Sequence, residues 1–531
     1  MTSRRLGLLL LAALTPAVLG AADAADRWWS HVTFLADDRL EGRDTGSEGH
    51  RKAADYVAGE LKRVGLLPGA TGGYLQSVSF TSRRIVEERS SLALVRGSVV
   101  EPVALGDEAT FSMRIDPAPK VEAPIVFVGY GLTVPELSYN DLAGLDLRGK
   151  VALLLAGGPS NIPGPLLAHY QSIRWSILRE AGAIGTMSIP NPRSMDIPWE
   201  RSMLARLQPS MTLADPTLDE TAGQQLSVTL NPAHAEKVFT GSGHTFKDIL
   251  AVADQGKPLP RFAIAASVRA VVTVATEHLE SQNVVAILPG TDPALKDEFV
   301  VLSAHIDHLG VGQPIAGDRI NNGAMDNASG IATLIETAEA IRDAKTSFRR
   351  SVVFLAVTAE EKGLLGSRYY SAHPTVGGKA IVANLNTDMF LPLFPLRSLV
   401  AQGLEESDLA GDLRRVAEPL GLKVLSDPEP ERNAFTRSDQ YSFIRRGVPA
   451  LSLKAGYERD SPDHALVKRW RAERYHAPSD DLTQPIDRQA AADFNRLYLR
   501  VVEAVANRPV RPRWNADSFF SRFSATTAGA R

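Results

Sequence analysis

The chain is expected to adopt an α/β fold: a mostly parallel or mixed central sheet covered by helices on both faces, with a mixed β/α unit inserted into it. Three observations predict this. From Asn283 onward, apolar runs of strand length alternate with segments of helical periodicity, the pattern of a parallel or mixed sheet buried on both sides. Residues 117–270 break that alternation with compact apolar runs and turn-rich loops. At 531 residues the chain is also too long for one ordinary domain.

Residues 1–24 have the make-up of a secretory leader, with Arg4 and Arg5 ahead of an apolar stretch over 6–19 and small residues over 21–25. The stretch is short of the ~20 residues that span a bilayer, and Pro16 interrupts it. No cysteine follows it, which excludes lipid attachment there, and cleavage after Gly20 or Ala24 would fit. The mature chain is therefore expected outside the cytoplasm, periplasmic or secreted, with no stable membrane insertion.

Residues 25–116 and 271–510 are expected to form one discontinuous unit. Two helical pieces fill 28–65; in the second, Ala53, Ala54, Val57, Leu61 and Val64 recur at helical spacing. Gly42, Gly46 and Gly49 mark a loop before it. Residues 75–80 and 91–95 have strand character. Within the insertion, runs at 123–128 and 150–155 flank a loop carrying Gly129, Gly131 and Pro135. A helix is expected at 175–181 and a strand at 185–189, before a Pro- and Met-rich stretch through Pro209. Strand character returns at 271–275, 284–288, 299–304, 352–357, 381–385 and 450–453, and helical character at 409–419. Ser329 is placed to cap a helix whose buried face carries Ile331, Leu334, Ile335, Ala338 and Ile341. The tail, 511–531, has Trp514, Phe519, Phe520 and Phe523 available for docking. Its end, 525–531, is expected to be disordered.

A hydrophobic content of 44% and a charged content of 22% suit a soluble globular protein. The net charge of -3 gives no electrostatic case for nucleic acid or for an anionic membrane. With no cysteine, disulfides are excluded. Zinc would have to be held by His, Asp and Glu, a set that suits catalytic better than structural sites.

Candidate ligands lie at strand ends or in loops, where open α/β sheets place their sites. His305 and Asp307 are two apart and so point the same way in an extended segment. A metal-bound imidazole needs a partner for its other nitrogen, and a carboxylate serves. Alone, the pair is an ordinary polar strand end. Asp326 stands ahead of a helix start, where the dipole favours a carboxylate. The small residues around it let backbone come close to other groups. Glu360 and Glu361 follow an apolar strand; without a cation nearby, two adjacent carboxylates there would repel each other and lose hydration. Asp388 also follows a strand, and His476 sits in a loop with Asp480 close behind. It is the conjunction, hard carboxylates with two imidazoles, that suits zinc, with cobalt or manganese as substitutes.

These segments together resemble the two-zinc exopeptidase family that includes bacterial leucyl-type aminopeptidases and glutamate carboxypeptidase II. The matching stretches are Ser303-Ala304-His305-Ile306-Asp307, 322–330, 359–367, 386–388, 438–443 and 475–476, with 40–47 and 49–54 near the start. The segment from 124–131 through 149–151 resembles the protease-associated domain often inserted in this family, a unit that covers the cleft or mediates contacts. The resemblance implies a zinc held by His305 and Asp388, a second held by Glu361 and His476, and Asp326 bridging them. It implies that Asp307 orients His305, that Glu360 is the general base, and that Tyr475 faces the developing oxyanion. A cis peptide bond after Asp326 is implied too. His308 is an extra histidine beside the site, and Asp439 and Asp480 orient neighbours rather than bind metal.

No ligand position is missing, unlike in the non-catalytic receptors of this fold or in its single-zinc glutaminyl cyclases. The implied activity is an exported di-zinc aminopeptidase acting on peptide substrates. A carboxypeptidase or dipeptidase of the same family would need cations to grip a substrate carboxylate; Arg432, Arg437 and Lys454 are placed for this. A binding protein without catalysis is the third possibility, and an intact Glu360 speaks against it.

Overall fold

A computed structural model of the chain describes residues 15–195 and 197–524. Its larger, ten-stranded sheet is mixed and runs Ser210–Leu213, Leu75–Ile85, Val274–Leu288, Ser351–Val357, Phe299–His305, Ile381–Asn386, Ala450–Ala455, Ser398–Gln402, Lys423–Leu425, with Leu67–Pro68 paired to Val274–Leu288. Ser351–Val357, Phe299–His305, Ile381–Asn386 and Ala450–Ala455 are mutually parallel, and antiparallel neighbours flank them.

The uninterrupted apolar strands have a direct cause. Val352, Phe354 and Ala356 enter a core shared with Trp28, Val57, Ile335 and Val501, while Val353, Leu355 and Val357 enter another shared with Tyr370 and Phe443. Side chains alternate at period two, so such a strand is satisfied only when both faces are covered. Helices Thr15–Leu35, Glu48–Arg63, Ser329–Asp343 and Arg488–Ala506 supply the first cover; Leu365–Ala372 and Gln440–Ile444 supply the second. Burying each large side chain contributes roughly 1.5–3 kcal/mol, which holds the register that fixes the strand ends.

A separate eight-stranded sheet runs Val99–Val103, Ser91–Arg96, Phe262–Val271, Lys120–Phe127, Val151–Leu155, Gly185–Ile189, Leu226–Leu230, Ala109–Phe111. It has its own core around Phe127, Leu153, Met187 and Phe239. Its strands at 91–111 precede the boundary expected at 117, and Ser210–Leu213, from within 117–270, pairs with Leu75–Ile85 of the larger sheet. Short alternating strands announce their existence but not their partners. The single run expected at 271–275 is in fact a junction: Val271 ends a strand of one sheet and Val274 begins a strand of the other.

Ser329 corrects another expectation. It is the first residue of its helix, and its hydroxyl donates back to Met325 O at 2.7 Å instead of capping the N–H groups ahead of it. The leader expected over 1–24 lies largely outside the described residues; its described part begins the helix Thr15–Leu35. No helix among the described residues is long and apolar enough to cross a membrane. The tail docks: Trp514 Nε1 donates to Gly447 O at 3.0 Å and Phe520 is buried. Residues 525–531, expected to be disordered, lie outside the described residues.

Candidate metal centre

The parallel strands end on one side of the sheet and deliver polar groups there. His305 closes its own strand; only Thr358 and Ala359 separate Glu360 from Ser351–Val357, and only Thr387 separates Asp388 from Ile381–Asn386. Asp326 comes from an irregular turn, Ala324–Ala328, with a cis bond to Asn327. His476 and Asp480 lie in the loop after helix Pro462–Glu473.

These side chains form two groups around Asp326. His305 Nε2 lies 3.2 Å from Asp326 Oδ1 and 3.5 Å from Asp388 Oδ1. Facing the other oxygen, His476 Nε2 lies 3.3 Å from Asp326 Oδ2 and 3.2 Å from Glu361 Oε2. His308 Nδ1 is 2.8 Å from Glu361 Oε1 and 4.0 Å from Asp326 Oδ2. The atoms of His305, Asp326 and Asp388 are arranged to share one cation, as are those of His308, Asp326 and Glu361. Donors bound tetrahedrally to zinc at ~2.0–2.1 Å stand about 3.3–3.4 Å apart, close to the spacings found. His308 Nδ1 and Glu361 Oε1, though close, are not hydrogen-bonded, and Asp388 Oδ1 is also without a hydrogen-bond partner. Such atoms aim at a common centre rather than at each other, and the donor set fits zinc. Glu360 belongs to neither group.

The electrostatics describe the same excess of carboxylates. Burial alone would lower His476, but Glu361, with Asp326 behind it, pushes the imidazole up to about 10. Burial and the Glu361 charge raise Asp326, yet the bonds from His305 and His476 outweigh them and hold it well below the usual carboxylate range. Burial, opposed by His305 and reinforced by Glu361, Asp439 and Asp388, holds Glu360 well above that range.

A supporting network fixes these groups. Asp307 does not orient His305 through its carboxylate; the contact to His305 Nδ1, at 3.1 Å, is made by its main-chain oxygen. Its carboxylate instead accepts the N–H groups of Glu360 and Glu361, at 3.0 and 3.3 Å, and the Thr45 hydroxyl at 3.2 Å. It therefore sets the turn that aims both glutamates. Asp480 accepts the N–H groups of Met325 and Asp326 at 2.9 and 3.0 Å, an orienting role as expected. Asn327 Nδ2 donates to Thr387 O at 2.9 Å and ties the Asp326 turn to the Asp388 turn. Gly330 has to be glycine, because a Cβ there would meet Asn327 Oδ1 at 2.4 Å and Thr387 O at 2.5 Å.

Arg43 has no counterpart among the expected roles. It is buried, and its guanidinium donates to Ile306 O at 2.9 Å, Asn322 O at 2.6 Å, Gly323 O at 3.0 Å and to Leu35 O. It thus straps the His305 segment to the Asp326 turn. Its position inside the 40–47 motif was the available signal. The smaller sheet's unit also reaches the centre, where Arg114 Nη2 donates to Glu361 O at 3.0 Å. Beside Asp388 and Tyr475 opens a cavity of about 110 Å³ whose wall includes Arg432, Arg437 and Lys454.

Residues 283–502 match the family described as Peptidase family M28. A protein of Aspergillus oryzae named probable leucine aminopeptidase 2 is 30% identical over 245 residues, 43% of this chain and 46% of that protein. Carboxypeptidase Q of Rattus norvegicus is 27% identical over 179 residues, 33% of each chain. The chain spans about half, or less, of the length of the curated relatives it matches. Among solved structures, an aminopeptidase from Aneurinibacillus sp. strain AM-1 shares the fold, with a TM-score of 0.54 at 20% identity over 92% of this chain and 98% of that one.

Proposed function

We propose that this chain, a member of peptidase family M28 through residues 283–502, is an exported zinc-dependent exopeptidase that removes residues from the amino end of peptides. The observation that carries the proposal is the convergence of two donor groups on the two oxygens of Asp326, with Glu360 left outside both. The leader-like residues 1–24 support export. The bond from Arg114 to Glu361 supports reading the inserted unit as a protease-associated-type domain that walls the cleft.

His305, Asp388 and one oxygen of Asp326 would hold one zinc; Glu361, His476 and the other oxygen would hold a second, with His308 beside it. Bound there, zinc supplies Lewis acidity toward a carbonyl and makes water acidic near neutral pH; cobalt or manganese would substitute. Glu360, with its raised proton affinity, takes the proton from the attacking water and returns it to the leaving amine. Tyr475 packs against His476 in a tilted arrangement, ring centroids 3.9 Å apart, and offers its hydroxyl to the developing oxyanion. Asp307 and Asp480 keep the glutamates and Asp326 in place.

The test is a panel of peptides with free and acetylated amino ends, assayed with the zinc-loaded full chain. Cleavage confined to free amino ends supports the proposal; a chain that binds no zinc and cleaves nothing refutes it. One observation favours a second reading, a carboxypeptidase or dipeptidase: Arg432, Arg437 and Lys454 line the cavity beside Asp388. Cleavage of acetylated peptides would select it.

A further inference from the structure

The smaller sheet's unit places one side chain against the turn that carries both glutamates. The segment after strand Ala109–Phe111 is anchored by Met113 and Ile115, which are buried in that unit, while Arg114 between them is exposed. Its Nη2 donates to Glu361 O at 3.0 Å. Its Nη1 lies over Gly363, where a Cβ would come within 3.4 Å of it. The acidic charges that act on it are those of Glu360 and Glu361. A guanidinium carries five N–H donors, and the bond to Glu361 O spends one of them. Among the described residues no carboxylate lies within 4.0 Å of Arg114. Arg368, against the same turn, is committed by contrast: it pairs with Glu220 at 3.1 Å and donates to Gly363 O at 3.2 Å. Arg114 thus holds free donors beside the general base, and it comes from the other unit.

The centre gives the substrate a direction. The cavity of about 110 Å³ beside Asp388 and Tyr475 has none of Glu360, Glu361 and Arg114 in its wall. In the proposed function Glu360 returns a proton to the leaving amine, so the leaving nitrogen lies at Glu360. A peptide with its first residue in the cavity and its scissile nitrogen at Glu360 runs its next residue toward Arg114. We propose that Arg114 donates to the main-chain carbonyl of that leaving residue, so that the inserted unit holds the leaving side of the substrate and the enzyme favours peptides over amides of simple amines. The proposal rests on the peptidase reading and adds how that site holds its substrate. A peptide offers this carbonyl whatever its side chains, whereas an arylamine leaving group offers no acceptor. Charge-assisted bonds of this kind are roughly twice as strong as neutral ones.

The test uses the zinc-loaded full chain and three substrates with one common first residue. Leucyl-alaninamide has the carbonyl on its leaving residue and no carboxylate. Leucyl-alanine has a carboxylate in its place. Leucyl β-naphthylamide has neither. Rates are taken per bound zinc, so that a change in metal loading does not enter the comparison. The expected result is that Arg114→Met lowers kcat/KM for leucyl-alaninamide at least about tenfold more than for leucyl β-naphthylamide, the effect of losing one charge-assisted bond. A variant that slows the naphthylamide as much as the alaninamide would make Arg114 a support of Glu361 alone and overturn the proposal. A variant that slows neither overturns it as well. A loss confined to leucyl-alanine would assign Arg114 to a substrate carboxylate and also overturn it. Calorimetry with leucyl-alaninamide separates this proposal from the peptidase reading. In a protein inert on every peptide tested, binding at least about tenfold weaker in Arg114→Met would keep the Arg114 assignment and refute the peptidase reading. Equal binding, or none, in such a protein would refute both.

Discussion

Replacing Arg43 with methionine should weaken the fold and the metal centre together. The guanidinium is buried and serves main-chain carbonyls of Leu35, Ile306, Asn322 and Gly323. Burial pulls its pKa down to about 10, opposed chiefly by Asp480 and Asp307, so it is charged at neutral pH. Each charge-assisted bond is worth ~1.5–3 kcal/mol net, and each orphaned carbonyl costs about 1–3 kcal/mol. Removing the charge recovers part of its desolvation penalty, so the net loss is that of breaking a buried ionic contact from one side, ~3–5 kcal/mol. Methionine keeps an unbranched apolar stem, which limits any cavity. A unit of this size loses roughly 1.5 °C per kcal/mol at its midpoint, so metal-free protein should melt about 4–8 °C lower in a thermal scan. Ile306 adjoins His305, and Asn322 and Gly323 lead into the Asp326 turn. Zinc affinity, measured by chelator competition, should therefore fall about 10–100-fold, the usual effect of losing an outer support. A variant that melts within about 1 °C of the parent and holds zinc equally well would refute the strap.

Glu360→Gln should lower kcat by about 10²–10⁴-fold while metal analysis finds zinc retained; loss of zinc would make Glu360 a ligand instead. Chelation should abolish turnover and lower the melting temperature, with both restored by zinc, because a ligand that binds only the folded state stabilises it by mass action. Asp480→Ala should orphan the N–H groups of Met325 and Asp326 and weaken zinc binding by roughly 10–100-fold, read by chelator competition. For pH dependence, burial and then Arg43 lower buried His50 from 6.5 to about 3. The unfolded chain takes up a proton below pH 6.5 that the folded chain refuses, so this stabilisation is full above 6.5 and is lost as pH falls toward 3. At pH 5 the loss is ~2 kcal/mol. Urea midpoints at pH 7.5 and 5.0 should show the drop, and His50→Gln should reduce it by about that amount.

Strand existence and type were legible because burial on both faces writes itself as continuous apolar runs, as in 352–357. The ligand-bearing positions were legible because they interrupt such runs with groups that water would otherwise keep: His305 ends a strand, and Glu360, Glu361 and Asp388 follow one. Pairing was not legible. Strands at 91–111 carry the same alternation whichever sheet they join, so the start of the inserted unit was placed late. Nor was the role of Asp307 visible, because a carboxylate two residues from a histidine gives no sign that its oxygens turn to the N–H groups of Glu360 and Glu361 instead.

By itself the sequence determined many of the strands and helices, though not the strand Ser398–Gln402 or the helices Pro462–Glu473 and Arg488–Ala506, and which side chains are chemically able to hold a cation, since these follow from local pattern and residue type. Only the tertiary structure decided that the two oxygens of Asp326 face different imidazoles and that Arg43 ties separated loops together. Those facts depend on distances between residues tens to hundreds of positions apart. Packing sets such distances, and no local spacing encodes them.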